Sequence, residues 1–123
     1  MKLAPGLLGE TTLVVTKADT ASAIGSGDVD VLATPRVLAL CEAATVAAVA
    51  ATLDAAQTTV GMHVELDHLR PSRVGDRVTV RATLTAVDGG RLSFDVEATD
   101  VSGAVARGVV VRAVVDRSRF SGS

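Results

Sequence analysis

Aromatic side chains are nearly absent from this 123-residue chain, which has two Phe, no Trp and no Tyr. Proteins that bind single-stranded nucleic acid stack the bases on such side chains. The 12 basic and 14 acidic residues give a formal net charge of -2, so no basic surface for a phosphate backbone is expected. The composition argues against a nucleic-acid partner, and the core has to be built from Val, Leu and Ala.

Cysteine is also scarce: Cys41 is the only one, which excludes an intramolecular disulfide and is typical of the reducing cytoplasm. The opening residues "MKLAPGLLGE" carry one Lys and no long apolar run, so no secretory signal is expected. The apolar run over residues 37–53 is short for a membrane span and is interrupted by Glu42. We expect a cytoplasmic protein without a membrane partner, folded as a single domain over residues 1–123.

The stretch "VLATPRVLALCEAATVAAVAATL" predicts the one long helix of the chain. Thr34 is a suitable N-cap, Pro35 suits the first helical position, and the pattern continues to about Leu53. Glu42 stands in the middle of this apolar helix, where an ionised carboxylate is unfavourable unless it is paired. Either Glu42 reaches a polar surface or an Arg, or it belongs to a functional site. Its neighbour Cys41 is interpreted as a small core residue.

Period-two alternation of apolar and polar residues predicts strands in most of the remaining chain. The segments are residues 11–16, 61–69, 76–87, 91–100 and 104–115. The sequence "DGG" is a hairpin signal between the third and fourth of them. We expect an α+β fold in which a curved antiparallel sheet of about five strands wraps a long central helix. Such a sheet leaves open edges, so we expect a homodimer or larger assembly through the Val-rich last strand and the helix flank.

The second predicted strand carries both histidines of the chain. His63, Glu65 and Asp67 share one face, but alternate residues lie about 7 Å apart, which is long for ligands of one metal, so no metal site is expected. His68 is on the other face, with three apolar residues: Met62, Val64 and Leu66. A lone His there is commonly a core or rim residue. Beside an acid it becomes a candidate acid/base, because imidazole titrates near neutrality.

Several segments together resemble a known family. In this order and spacing, "ATPRVLALCEAA", "VGMHVELDHLRPSRVGDRVTV", "RLSFDVEATD" and "GVVVRAVV" are similar to the fluoroacetyl-CoA thioesterase group of hotdog proteins. The resemblance covers about residues 31–115. It implies a hotdog fold and an acyl-CoA thioesterase, which hydrolyses a thioester to a free acid and coenzyme A.

The resemblance also implies which residues act. It places the family's catalytic Thr, Glu and His on Thr34, Glu42 and His68, and its substrate-binding Gly and Arg on Gly61 and Arg112. Glu42 would be the general base or nucleophile, His68 would move protons or activate water, and Thr34 would orient Glu42 or the substrate. Coenzyme A leaves as a stable thiolate, so neither a metal nor a redox cofactor is expected.

One departure from the family concerns the segment before the catalytic Thr. The family has a Phe-bearing lid there, whereas "TASAIGSGDVDVLATP" has no aromatic residue. We therefore expect a broader or different acyl group than fluoroacetyl, either short-chain or aromatic. Two alternatives remain at this point: a non-catalytic hotdog module that binds an apolar small molecule, and an acyl-CoA hydratase or dehydratase. The second is disfavoured because the chain lacks the Asp-x4-His stretch of those enzymes.

Overall fold

Five antiparallel strands wrap one long helix in the computed structural model, which describes residues 2–120. The strands are β1 (Leu8–Val14), β2 (Gln57–His68), β3 (Arg77–Asp88), β4 (Arg91–Asp100) and β5 (Gly103–Asp116). The helices are the short α1 (Ala21–Ile24) and the long α2 (Thr34–Val49), with 3-10 turns at Lys17–Asp19 and Arg117–Arg119. This confirms the predicted α+β hotdog architecture. No helix within residues 2–120 is long and apolar enough to cross a membrane.

The sheet has the strand order β1-β3-β4-β5-β2. A tight turn joins β3 to β4, as "DGG" predicted, with Gly89 at a φ of 60° that favours glycine. The strand β2 does not pair with β3, which follows it in the chain, but with β5. Because β5 has a partner strand on each side, it offers no open edge for dimerisation, and β2 is the edge strand at that end.

Small residues let α2 lie close against the sheet. A Cβ atom built on Gly9 of β1 would lie 2.1 Å from the carbonyl oxygen of Ala44, so only glycine permits this crossing. Around that contact the buried side chains of α2 meet the inward-facing residues of β3, β4 and β5. The latter are Val78, Val80, Ala82, Leu84, Leu92, Phe94, Val96, Ala98 and Val110. The core is therefore aliphatic apart from Phe94, as the composition required.

The start of α2 differs from the expectation in one respect that matters for the site. Ala33, not Thr34, is the N-cap, and its carbonyl oxygen accepts hydrogen bonds from the backbone N–H groups of Arg36 and Val37. Thr34 is therefore the first helical residue. Its hydroxyl is not used in capping and lies instead at hydrogen-bond distance from His68.

The end of α2 also comes earlier than the predicted Leu53. The helix ends at Val49, whose carbonyl oxygen accepts hydrogen bonds from Thr52 at 2.9 Å and from Leu53 at 3.2 Å. These bonds close a turn that directs the chain into β2.

A bulge divides β2 into two halves. Gly61 and His63 oppose consecutive residues of β5, which leaves Met62 without a partner position. Because side chains alternate along a strand, the extra residue places Thr59 and Gly61 on the same face as His68. Met62 is 54% exposed, so its expected place on the apolar face is wrong.

Candidate active site

Thr34 and His68 meet where α2 begins and β2 ends. The Thr34 hydroxyl oxygen lies 2.8 Å from His68 Nδ1, at hydrogen-bond distance. The other ring nitrogen, Nε2, is buried and has no hydrogen-bond partner in residues 2–120. The structure thus brings together two of the three predicted catalytic residues and leaves one imidazole nitrogen for another group.

The environment of His68 favours the neutral imidazole. Burial lowers its pKa below the ordinary value of 6.5, and the nearby backbone of Arg70 raises it by a smaller amount. A neutral imidazole has one nitrogen that donates and one that accepts. With Nδ1 engaged by Thr34, the free Nε2 is the nitrogen at which a substrate proton could be given or taken.

Glu42 lies about two helical turns beyond Thr34 and has a different partner. Its Oε2 atom accepts a hydrogen bond of 3.0 Å from Nη1 of Arg112. In the described part of the chain this is the only hydrogen bond of the carboxylate, so Glu42 is not joined to Thr34 or His68. The Glu42 side chain is 36% exposed, whereas that of Arg112 is 8% exposed. The Arg partner therefore sits in the protein interior and not on a solvated face.

Arg112 is held inside the sheet by the neighbouring strand. Its Nε donates to the Thr59 hydroxyl at 2.8 Å, and its Nη2 donates to the Thr59 carbonyl at 3.0 Å. With the bond to Glu42, three of the five guanidinium N–H groups are used. No sequence pattern singles out Thr59, because Thr is common in strands and this one is 53 residues from Arg112.

Gly61 makes room for the Glu42 carboxylate. A Cβ atom at this position would lie 2.5 Å from Glu42 Oε2 and 3.6 Å from Nη1 of Arg112. The backbone of Gly61 does not have a positive φ, so the need for glycine here is one of space. The structure thus places Gly61 and Arg112 around Glu42, and their predicted binding of substrate stays a prediction.

An apolar groove lies between α2 and β2, with Thr34 at one end. It has a volume of about 330 Å³ and is lined by Thr34, Pro35, Leu38, Val64 and Leu66. Leu38 lies midway along α2 between Thr34 and Glu42, and Val64 and Leu66 lie between Gly61 and His68 on β2. The groove therefore lies along the stretch between the two ends of the site, and His68 itself lines a neighbouring pocket that shares Thr34 with it.

The segment before α2 is fastened to the first turn of that helix by Asp19. One carboxylate oxygen accepts hydrogen bonds from the backbone and hydroxyl of Thr16, and the other accepts one of 2.9 Å from Arg36 Nε. Burial raises the pKa of Asp19, but these hydrogen bonds lower it by more, so it lies below the ordinary value. The paired carboxylate holds residues 20–33 beside the Thr34–His68 pair.

The remaining residues considered in the sequence are Cys41 and the acidic and histidine side chains on the outer face of β2. Burial raises the pKa of the Cys41 thiol to about 11, and the charge of Glu42 adds to the effect. Cys41 is fully buried and therefore a protonated core residue at neutral pH. Within residues 2–120 no cluster of three His, Cys, Asp or Glu side chains is suited to a metal ion, and His63 and Glu65 form only an exposed pair.

Comparison with known proteins places the chain in a family. The sequence profile of the fluoroacetyl-CoA-specific thioesterase family matches residues 15–118. The chain belongs to the fluoroacetyl-CoA-specific thioesterase family. A comparison with curated proteins finds no match.

Solved structures of the thioesterase FlK have the same fold. The chain is 28% identical to FlK, with a TM-score of 0.90 over 98% of this chain and 94% of FlK. A variant of FlK in complex with fluoroacetate and CoA matches with 28% identity and a TM-score of 0.89, over 96% of this chain and 99% of that one. A thioesterase-superfamily protein of Thermus thermophilus, 24% identical with a TM-score of 0.89 over 98% and 89% of the two chains, shares the fold. The protein is accordingly a hotdog thioester hydrolase of acyl-CoA substrates.

The close approach of Gly61 and Glu42 leads to a first prediction. In Gly61→Ala the new methyl group displaces the flexible end of Glu42 from Arg112, because the nearest atom is the carboxylate oxygen and not backbone. We expect acyl-CoA hydrolysis to fall about tenfold, since small displacements of a reacting group are costly, while the melting temperature changes little. Both are measured on the purified variant.

Gly90→Ala is the matched control, because its new Cβ would lie at an ordinary 3.6 Å from the nearest atom. Equal hydrolysis rates in the two variants would contradict the proposed crowding at Gly61.

Proposed function

We propose that this thioesterase hydrolyses acyl-CoA through Thr34, Glu42 and His68, with Gly61 and Arg112 completing the site. The observation that carries the proposal is the 2.8 Å contact between Thr34 and His68 Nδ1, which leaves a buried imidazole nitrogen free. About two helical turns further along α2, Glu42 is held by the buried Arg112. These residues supply a carboxylate and a neutral imidazole, which thioester hydrolysis can use.

The carboxylate of Glu42 acts first in either of two ways. As a general base it takes a proton from water while the water oxygen attacks the thioester carbonyl. As a nucleophile it forms a mixed anhydride, which water then hydrolyses. In both cases the C–S bond breaks and coenzyme A leaves as a thiolate that takes up a proton.

His68 transfers protons through Nε2, and Thr34 holds its ring through Nδ1. In this proposal Thr34 orients the imidazole of His68 and not the carboxylate of Glu42. The thiolate is a stable leaving group, so the proposed reaction needs no metal or redox cofactor, and coenzyme A enters only as part of the substrate.

The acyl group is proposed to be a short chain, without a preference for fluoroacetyl. Fluoroacetyl-CoA is the substrate in the name of FlK. In this chain, residues 20–33 have no aromatic side chain, and the part beside His68 consists of Ala21, Ser26, Val31 and Leu32. Small and aliphatic side chains cannot supply an aromatic contact to a fluorinated methyl group, so selection among short acyl groups is expected to be weak.

Substitution of the catalytic residues tests the assignment. Glu42→Gln and His68→Ala are each expected to lower kcat at least a hundredfold, because general acid–base groups contribute about that much. Thr34→Ala is expected to lower it about tenfold, through a less well oriented imidazole. Release of free thiol is measured with acetyl-, propionyl-, butyryl-, benzoyl- and fluoroacetyl-CoA.

His63→Ala and Glu65→Gln are the matched controls, since both side chains lie exposed on the opposite face of β2. Unchanged hydrolysis in Glu42→Gln and His68→Ala would refute the catalytic set. Retention of acyl-CoA without release of thiol would point to a binding module. A strong preference for fluoroacetyl-CoA over acetyl-CoA would refute the proposed acyl range.

The lowered pKa of His68 gives a prediction for pH dependence. Proton uptake by His68 is unfavourable in the folded protein, so the neutral form persists below pH 6.5. If hydrolysis requires neutral His68, kcat/KM falls on acidification with a midpoint below pH 6.5. The measurement is kcat/KM between about pH 5 and 8.

The exposed His63 serves as the control, because His63→Ala should leave the profile unchanged. An acidic limb with its midpoint at or above pH 6.5 would contradict the role of His68.

We also propose that the protein is a cytoplasmic homodimer formed at the edge strand β2 and the adjoining face of α2. Apart from Thr34, the exposed residues of α2 are apolar: Pro35, Ala39, Ala43, Val46 and Ala47. Beside this face, the outer edge of β2 has no partner strand within residues 2–120. An apolar helix face next to an open sheet edge fits a second copy of the same surface.

The dimer proposal is tested by placing a charge on this surface. Val46 is 44% exposed, and Val46→Glu is expected to give a monomer in light scattering coupled to size-exclusion chromatography. Val101→Glu is the control, because Val101 is fully exposed in the β4–β5 turn, away from this surface. A dimer that persists in Val46→Glu would refute the proposed interface.

A further inference from the structure

Thr59 has a place in the site that neither its sequence position nor the family resemblance suggested. It is 8% exposed and lies next to the β2 bulge, on the face that carries Gly61. Its hydroxyl and its backbone carbonyl both accept hydrogen bonds from the guanidinium of Arg112. Thr59 does not line the apolar groove, so its contribution to the site passes through Arg112.

The two hydrogen bonds between Arg112 and Thr59 determine the orientation of the guanidinium as well as its position. Arg112 has a long flexible side chain, and a single contact would leave its planar head free to rotate. The Thr59 hydroxyl accepts a hydrogen bond from Nε at 2.8 Å, and its carbonyl accepts one from Nη2 at 3.0 Å. These two contacts determine the plane of the guanidinium. The remaining nitrogen, Nη1, is thereby directed to Glu42.

Glu42 depends on that placement. Its carboxylate has no second hydrogen-bond partner in residues 2–120, and its side chain is partly exposed. Gly61 leaves room for Oε2 but cannot hold it. The charge-assisted bond from Arg112 is therefore the contact that selects one conformation of the carboxylate and leaves Oε1 free.

We propose that Thr59 and Arg112 are a positioning pair for the thioesterase reaction. Thr59 orients the guanidinium, and the guanidinium holds the Glu42 carboxylate in its reactive position. The inference rests on the proposed catalytic role of Glu42. It assigns Arg112 a task within the protein, and two of its five N–H groups remain for substrate.

The hydroxyl of Thr59 is the part that substitution can remove. Thr59→Val keeps the shape and the carbonyl but leaves Nε of Arg112 without its acceptor. We expect kcat to fall about tenfold with acetyl-CoA as the probe, while KM changes less than about twofold, because the loss falls on the placement of a reacting group and not on binding. Thr59→Ser restores the acceptor and is expected to bring kcat back to within about threefold.

Thr58→Val is the matched control: the same change is made one residue away, where the side chain has no hydrogen bond to Arg112. It should leave kcat unchanged. If Thr59→Val does not fold, Thr59→Ala removes the same hydroxyl without placing a second methyl group beside the guanidinium. A purely structural role would lower stability in Thr59→Val without the selective loss of kcat that Thr59→Ser repairs.

A double variant separates this inference from the proposed function. In a Glu42→Gln background, Thr59→Val should lower the residual rate less than about twofold, because the group it positions is already gone. Full kcat in Thr59→Val, together with a large loss in Glu42→Gln, overturns the positioning pair and leaves Glu42 catalytic. No loss in Glu42→Gln itself overturns the proposed function, and with it the reason for a positioning pair.

Discussion

A guanidinium buried between a sheet and a helix has to find hydrogen-bond acceptors, and this requirement at Arg112 organises the site around it. Removing a charged group from water is unfavourable by several kcal/mol unless it is paired. The acceptors come from two other elements, Thr59 on β2 and Glu42 on α2. The bonds therefore hold the edge strand and the helix in one arrangement relative to β5. Glu42, the acid in the middle of the apolar helix α2, is the ion-pair partner of Arg112.

The bulge at Met62 allows one strand to serve both ends of the site. In a regular strand, residues an odd number of positions apart lie on opposite faces, which would separate Gly61 and Thr59 from His68. The extra residue shifts the alternation, so all three face the helix. The exposed Met62 side chain is the result of this shift. The bulge thus places Gly61, which lies against the Glu42 carboxylate, on the same face of β2 as His68.

The sequence predicted the positions of the helix and strands better than the order of the strands in the sheet. Strong local patterns located α2, β3, β4 and β5 to within a few residues, because alternation and a Pro-marked helix start are local signals. Strand order depends on contacts between distant residues, and the pairing of β2 with β5 has no local signature. The N-cap was misplaced for a related reason: the hydroxyl of Thr34 is engaged by His68, 34 residues away.

The separation of Glu42 and His68 has a chemical consequence of its own. An ionised carboxylate next to an imidazole favours the imidazolium and would raise the pKa of the histidine. Here Thr34 and Glu42 are about 12 Å apart along the helix, and Arg112 already neutralises the acid. Burial therefore remains the dominant influence on His68 and keeps it neutral. In the proposed reaction, the carboxylate and the imidazole therefore act on the thioester without a direct contact between them.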